Sequence, residues 1–260
     1  MNENNMDESV SSADAKDVSS HLLPKSPSET EKFSDLYPER RGQRIEYTKM
    51  QMMKGKLKAD TLRESCGINV TKALEWPLVK LMLSSLKSQG CITDMFERHL
   101  SCDICKDSSE FPSWGGYDDK NNQVFLCANN IGSSSGKVHG TLLRNLIHMY
   151  DVCTRKVNFK DLNHLACMEI RKANLAGCNL GIHMTRLNPF YIKDQHEGCV
   201  LKTATYTLGE KIGDPELAKE AVENVFVKCY NDREPIGRNC KNESDMYKAY
   251  NERFLYAYDS

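Results

Sequence analysis

Eleven cysteines are spread along this chain of 260 residues, and none falls within the first 65. They stand at Cys66, Cys91, Cys102, Cys105, Cys127, Cys153, Cys167, Cys178, Cys199, Cys229 and Cys240. That density leaves two descriptions, an oxidised domain stapled by disulfides or a reduced one built around metal. The odd count leaves at least one thiol unpaired if the others pair within the chain. Disulfides need an oxidising compartment. Yet the N-terminus, MNENNMDESV, is polar and acidic and lacks the apolar stretch of a secretory signal. The mitochondrial intermembrane space meets both conditions. Without a secretory route, the sequons Asn69-Val70-Thr71 and Asn242-Glu243-Ser244 carry no weight.

The cysteine-free start differs in composition from the rest. Residues 1–45 are rich in Ser, Asp, Glu, Lys and Pro and poor in aromatics, which reads as a disordered polar tail. No Arg-rich amphipathic pattern marks it as an import leader. The folded domain is assigned to 60–260. A hydrophobic content of 40% and a charged content of 27% are ordinary for a soluble globular domain. A net charge of −1 provides no basic field for nucleic acid, so none is expected as a partner. The longest apolar run, WPLVKLMLSSL (76–86), is interrupted by Pro77 and Lys80 and is too short to span a bilayer.

Periodicity predicts a mostly helical chain with a small sheet, an α+β fold. TKALEWPLVKLMLSSLKSQG (71–90) reads as a helix ended by Gly90, and 91–116 reads as loop. DDKNN followed by QVFLC reads as a turn and a strand. Helices follow at 137–153 and 161–177. Asp214-Pro215 supplies an N-cap and a first-turn proline for a helix to about Tyr230. Its core face carries Ala218, Ala221, Val222, Val225, Phe226 and Cys229. SDMYKAYNERFLYAY is a last amphipathic segment.

The helix at 137–153 is apolar around most of its circumference, with Leu142, Leu143, Leu146, Ile147, Met149 and Tyr150. Against them Arg144, His148 and Asp151 form one stripe at i, i+4 and i+7. Buried polar groups cost free energy without partners, so the stripe faces either a cleft or a polar network. The stretch TLLRNLIHMYD also has the spacing of a zinc-peptidase helix, in which His-Glu-x-x-His sets two imidazoles one turn apart. Arg144 and Asn145 stand at its first two letters, and only His148 remains.

Several stretches carry a family resemblance: GGYDDKNNQVFLCANNI, TLLRNLIHMYDVC, NHLACMEIRKANLAG, HEGCV and AVENVFVKCYNDREPIGR. From about Cys66 to Arg238 the chain resembles the mitochondrial inner-membrane-associated metalloproteases that process an ATP-synthase subunit, also described as Ku-antigen-binding proteins. The resemblance implies a zincin-like metallopeptidase domain with zinc. It implies disulfides among Cys66, Cys91, Cys102, Cys105, Cys127, Cys153, Cys167, Cys178, Cys199 and Cys229, with Cys240 outside the pattern. In the family motif Arg144 stands at the first zinc-binding His and Asn145 at the catalytic Glu, while His148 and Asp151 match. Glu169 matches a family glutamate and becomes the third residual ligand candidate, or a partner behind one.

The two departures are chemically severe. A guanidinium stays protonated and cannot ligate metal. An amide cannot accept a proton from water, so the general base is lost as well. Zinc is therefore expected to be absent or weakly held. Arg144 is expected to replace the ion's charge by pairing with Asp151 or Glu169. His139, five residues before Arg144, points to another face, and His164 and His183 reach the cleft only by tertiary accident.

Other motifs offer less. Cys102-x-x-Cys105, with His99 and Cys127 near in sequence, suits either a structural zinc or disulfides, and the family register favours disulfides. His196-Glu197-Gly198-Cys199 reads as a loop before a disulfide cysteine. QVFLCANN is a candidate substrate-aligning edge strand, and Trp114-Gly115-Gly116 a turn. The expected function is a catalytically inactive family member with a client-binding or ATP-synthase assembly role. It is placed in the intermembrane space, peripheral to the inner membrane, with a membrane-sector subunit or another inner-membrane client as partner. The alternatives are an active zinc metalloendopeptidase and a non-mitochondrial adaptor.

Overall fold

The computed structural model describes residues 57–258, apart from 92, 96–97, 106–113, 179–191 and 241. The tail assigned to 1–45 lies outside the described residues, as does His183. The described chain opens with α1 (Leu57–Leu74) and α2 (Pro77–Ser88). One helix over 71–90 does not form, because Pro77 divides it. Proline has no N–H to give and is tolerated only in a first helical turn. Trp76 is therefore extended at φ −69° and ψ 139°, and α2 starts behind it.

Three strands follow, β1 (Leu100–Asp103), β2 (Gly115–Asp118) and β3 (Gln123–Cys127), in the spatial order β1-β3-β2. β2 and β3 are an antiparallel hairpin, with Gly115 opposite Leu126 and Asp118 opposite Gln123. The Asp118 carboxylate accepts from the N–H groups of Lys120 and Asn121, which ties the turn DDKNN. β1 lies parallel to β3 on its other side, Leu100 opposite Val124.

Three expectations change here. The segment 91–116 is not all loop, since it supplies β1. QVFLC is not an edge strand, because β3 is paired on both sides and β2 is an edge beside it. Gly115 and Gly116 belong to that edge rather than to a turn. Gly115 holds φ +152°, and a Cβ there would stand 2.3 Å from the Phe125 carbonyl oxygen. Only glycine lets the two strands close to this distance.

After a short turn of helix, α3 (Ala128–Ile131), comes α4 (Ser135–Thr154), whose cap Ser134 accepts from the Lys137 N–H. α5 (Leu162–Lys172), capped by Asp161, runs on as a π-helical turn, Ala173–Gly177. Then come α6 (Ile192–Ile212), α7 (Pro215–Asn231) and α8 (Glu243–Asn251), followed by a 3-10 turn at Glu252–Tyr256. Asp214 caps α7 by accepting from the N–H groups of Glu216 and Leu217. The sequence His196–Cys199 is not a loop but lies within α6. There His196, Val200, Ala204 and Leu208 form a buried stripe at four-residue spacing, and His196 Nδ1 lies 2.7 Å from the Tyr230 hydroxyl.

Two apolar cores result. The larger joins α1, α2, the sheet, α4 and α8 around Leu78, Met82, Leu126, Leu142 and Leu146. The smaller joins α5, α6 and α7 around Ile170, Val200, Ala204, Leu208 and Val222. Each is stapled separately. Cys66–Cys102, Cys91–Cys153 and Cys105–Cys127 bind the first. Cys167–Cys229 and Cys178–Cys199 bind the second. Closing loops of 21 to 62 residues removes unfolded-state entropy worth about 3–4 kcal/mol per bridge in the chain-entropy model. Cys102 and Cys105 thus bond to different partners. Cys240 is free and buried, and burial pushes its thiol up to about 12. Among the described residues no helix is long and apolar enough to cross a membrane.

Candidate functional site

The polar stripe of α4 faces α5, at the seam between the two cores, and it feeds two separate networks. Arg144 turns to Glu169 on α5, with Nη2 donating to Oε2 over 3.0 Å. Glu169 is 1% exposed. Thr207 on α6 donates its hydroxyl to the same oxygen at 3.0 Å. The other oxygen, Oε1, accepts from Lys172 at 2.5 Å and from Lys211. Burial alone would raise this carboxyl's pKa, but Lys172, Lys211 and Arg144 outweigh it and hold the group well below the ordinary range. Burial draws the Lys172 ammonium down to about 7, with Lys211 and Arg144 adding to the effect against the pull of Glu169.

Asp151, two turns along α4, belongs to the second network. Arg171 places Nε 3.0 Å from both its oxygens and Nη2 2.9 Å from Oδ1. Arg155 Nε lies 3.3 Å from Oδ1. Both guanidiniums are shared with Asp232, at 2.5 Å from Arg171 and 2.6 Å from Arg155, and Arg155 also reaches Glu234 at 3.3 Å. Here burial wins: it raises the Asp151 pKa despite Arg171 and Arg155, and Asp232 adds to the rise.

Between them sits His148. Its ring packs against Tyr117 of β2 with centroids 5.1 Å apart, and its Nε2 is buried with no hydrogen-bond partner among the described residues. Burial, with help from Lys172 and Lys211, pushes its pKa well below that of an ordinary histidine. The imidazole is therefore neutral. Asn145 is buried and donates its amide to the Thr141 carbonyl at 2.9 Å, a bond within its own helix.

The residual ligand candidates His148, Asp151 and Glu169 stand in three different surroundings. Both carboxylates are occupied by cations, in different networks. Among the described residues no group of three or more His, Cys, Asp and Glu is placed to hold a metal ion. These side chains do not fit a zinc peptidase centre. The other described histidines are engaged elsewhere. His139 stacks on Trp76 at 4.8 Å, His164 accepts from the Asn158 N–H, and His99 accepts from the Asp94 N–H.

Arg144 was expected to meet Asp151 or Glu169, and the fold brings it to Glu169 alone. Three members of that cluster, Lys172, Thr207 and Lys211, were not foreseen. Lys172 carried a signal, being three residues after Glu169 on one helical face. Thr207 and Lys211 carried none, since only the packing of α6 on α5 delivers them.

Comparison with known proteins bears on the same residues. The model of the Peptidase M76 family matches residues 64–237. The chain is similar to the mitochondrial inner membrane protease ATP23 homolog of Homo sapiens, 38% identical, over 74% of this chain and 76% of that protein. It is similar to the protein of that name from Xenopus laevis, 36% identical over 74% and 80%, and from Danio rerio, 33% identical over 84% and 82%. No solved structure matches the chain.

Proposed function

Because this chain belongs to the peptidase M76 family, we propose that it is a member that keeps the family architecture and no longer cleaves peptides. The bond from Arg144 to Glu169 carries the proposal. A zinc peptidase needs three protein ligands and a fourth, open position where bound water becomes a nucleophile. A guanidinium at the first ligand position adds fixed positive charge where a dication would sit. Glu169, held ionised by its cations, is too weak a base to replace a lost catalytic glutamate. Asn145 cannot take a proton from water.

What such a chain retains is binding. The proposal extends to a client-binding or assembly role toward the membrane sector of the ATP synthase, with the client contributed by an inner-membrane protein. It locates the chain in the intermembrane space, peripheral to the inner membrane, where disulfides persist. The relatives' name, mitochondrial inner membrane protease, supports the membrane and leaves the client to experiment.

Elemental analysis of purified, oxidised protein tests the central claim, together with a peptidase assay run with and without a zinc chelator. Zinc near zero and no chelator-sensitive cleavage is the expected result. About one zinc per chain, lost on His148→Ala, overturns it.

A further inference from the structure

Glu169 is saturated. A carboxylate offers roughly four acceptor sites, and Arg144, Thr207, Lys172 and Lys211 each take one. The cations are not saturated. An ammonium has about three donors and a guanidinium about five, and among the described residues each of the three has Glu169 as its only carboxylate partner. The cluster thus sets three basic side chains against one carboxylate, and the two that are partly exposed, Arg144 and Lys211, carry the surplus charge while burial draws Lys172 toward neutrality. Their accessibility is graded. Glu169 and Lys172 are buried, whereas the Arg144 side chain is 28% exposed and that of Lys211 47% exposed. One turn along α4, His148 Nε2 is buried and unpartnered. Like charges held together in a partly dry site are stabilised by any anion that can share their donors.

We infer that Arg144 and Lys211, standing over the buried Lys172–Glu169 pair, form the mouth of an oxyanion site that takes a carboxylate or phosphate group. In a client-binding protein the natural source is an acidic side chain of the client segment, docked by charge-assisted hydrogen bonds. The site rests on the reading that no zinc occupies the seam. It adds that the surplus charge has a ligand.

Inorganic phosphate is the probe, titrated into the full oxidised chain at fixed ionic strength. The readout is the ¹H–¹⁵N signal of the Arg144 side chain, with the thermal midpoint as a second measure. Saturable shifts are expected, weakened about tenfold or more in Lys211→Gln and unchanged in Lys219→Gln, an exposed residue of α7. A glutamate-containing peptide that displaces phosphate, while its glutamine counterpart does not, assigns the carboxylate source. Saturable phosphate binding without that competition assigns the phosphate source and keeps the site. No saturable shift, or equal affinity in Lys211→Gln, overturns it. Zinc content separates the two failures: a zinc-free chain that ignores phosphate sinks only the oxyanion site.

Discussion

Glu169 and Asp151 are both carboxylates sealed into the seam between α4 and α5, yet burial has opposite outcomes for them. Three cations serve Glu169 alone, and its pKa falls well below the usual range. Two guanidiniums serve Asp151 together with Asp232 and Glu234, and its pKa rises. The charge to be desolvated is the same in both. The difference lies in how many counter-charges each carboxylate must share. A buried ion pair is favourable only where hydrogen bonds and opposite charge fully repay its desolvation. Glu169 is in that position, with charge to spare. Asp151 is not, and it holds its place because Arg171 is locked around it.

Breaking each network measures the contrast. The largest effect belongs to Arg171→Ala. Arg171 is 1% exposed and binds Asp151, Asp232 and the carbonyl of Glu234. Its loss strands Asp151 and lowers unfolding free energy by about 3–5 kcal/mol in denaturant titrations. A loss under about 1 kcal/mol would show that Arg155 suffices. Next comes Arg144→Ala, which leaves Glu169 two ammonium partners and costs about 1–2 kcal/mol. That still exceeds an ordinary surface substitution, and no change in stability would refute charge replacement by Arg144.

The acid limb of the stability curve then separates the two carboxylates by sign. The contribution of Glu169 is complete above its unfolded-state pKa of about 4.3 and is lost as pH falls further, toward its depressed folded value. Asp151 has a folded pKa above its unfolded value of about 3.9, so its protonation on acidification favours the fold. Glu169→Gln should therefore flatten the fall of thermal midpoint with acidity, and Asp151→Asn should steepen it. Parallel curves for both variants would show that the carboxylates are alike after all. The smallest effect is that of Lys211→Gln, within about 1 kcal/mol of wild type, because solvent screens a half-exposed ammonium.

What the sequence disclosed of this arrangement follows how local each signal is. The cap Asp214 with Pro215, the strand Gln123–Cys127 and the stripe Arg144, His148, Asp151 rest on spacing within one element, and each is readable. β1 was not, because a parallel partner is reached only after an intervening strand. α6 was misread at His196–Cys199, where Gly198 lowers helix propensity and a buried histidine interrupts the apolar face. The pairing of Arg144 with Glu169 in place of Asp151 depends on the docking of one core against the other. No pattern within α4 distinguishes the two carboxylates. Lys211 is further removed still, as it arrives on the helix that was missed.

The division of disulfides between the cores has a consequence for how the chain reaches this state. No bridge crosses from the first six paired cysteines to the last four. Ten cysteines drawn from one pool can pair in about 900 ways, whereas sets of six and four allow about 15 and about 3. Segregation along the chain turns one large search into two small ones. The connection between them is exposed at Lys156 and Lys160. A single tryptic cut there should let two cross-linked pieces part on a non-reducing gel.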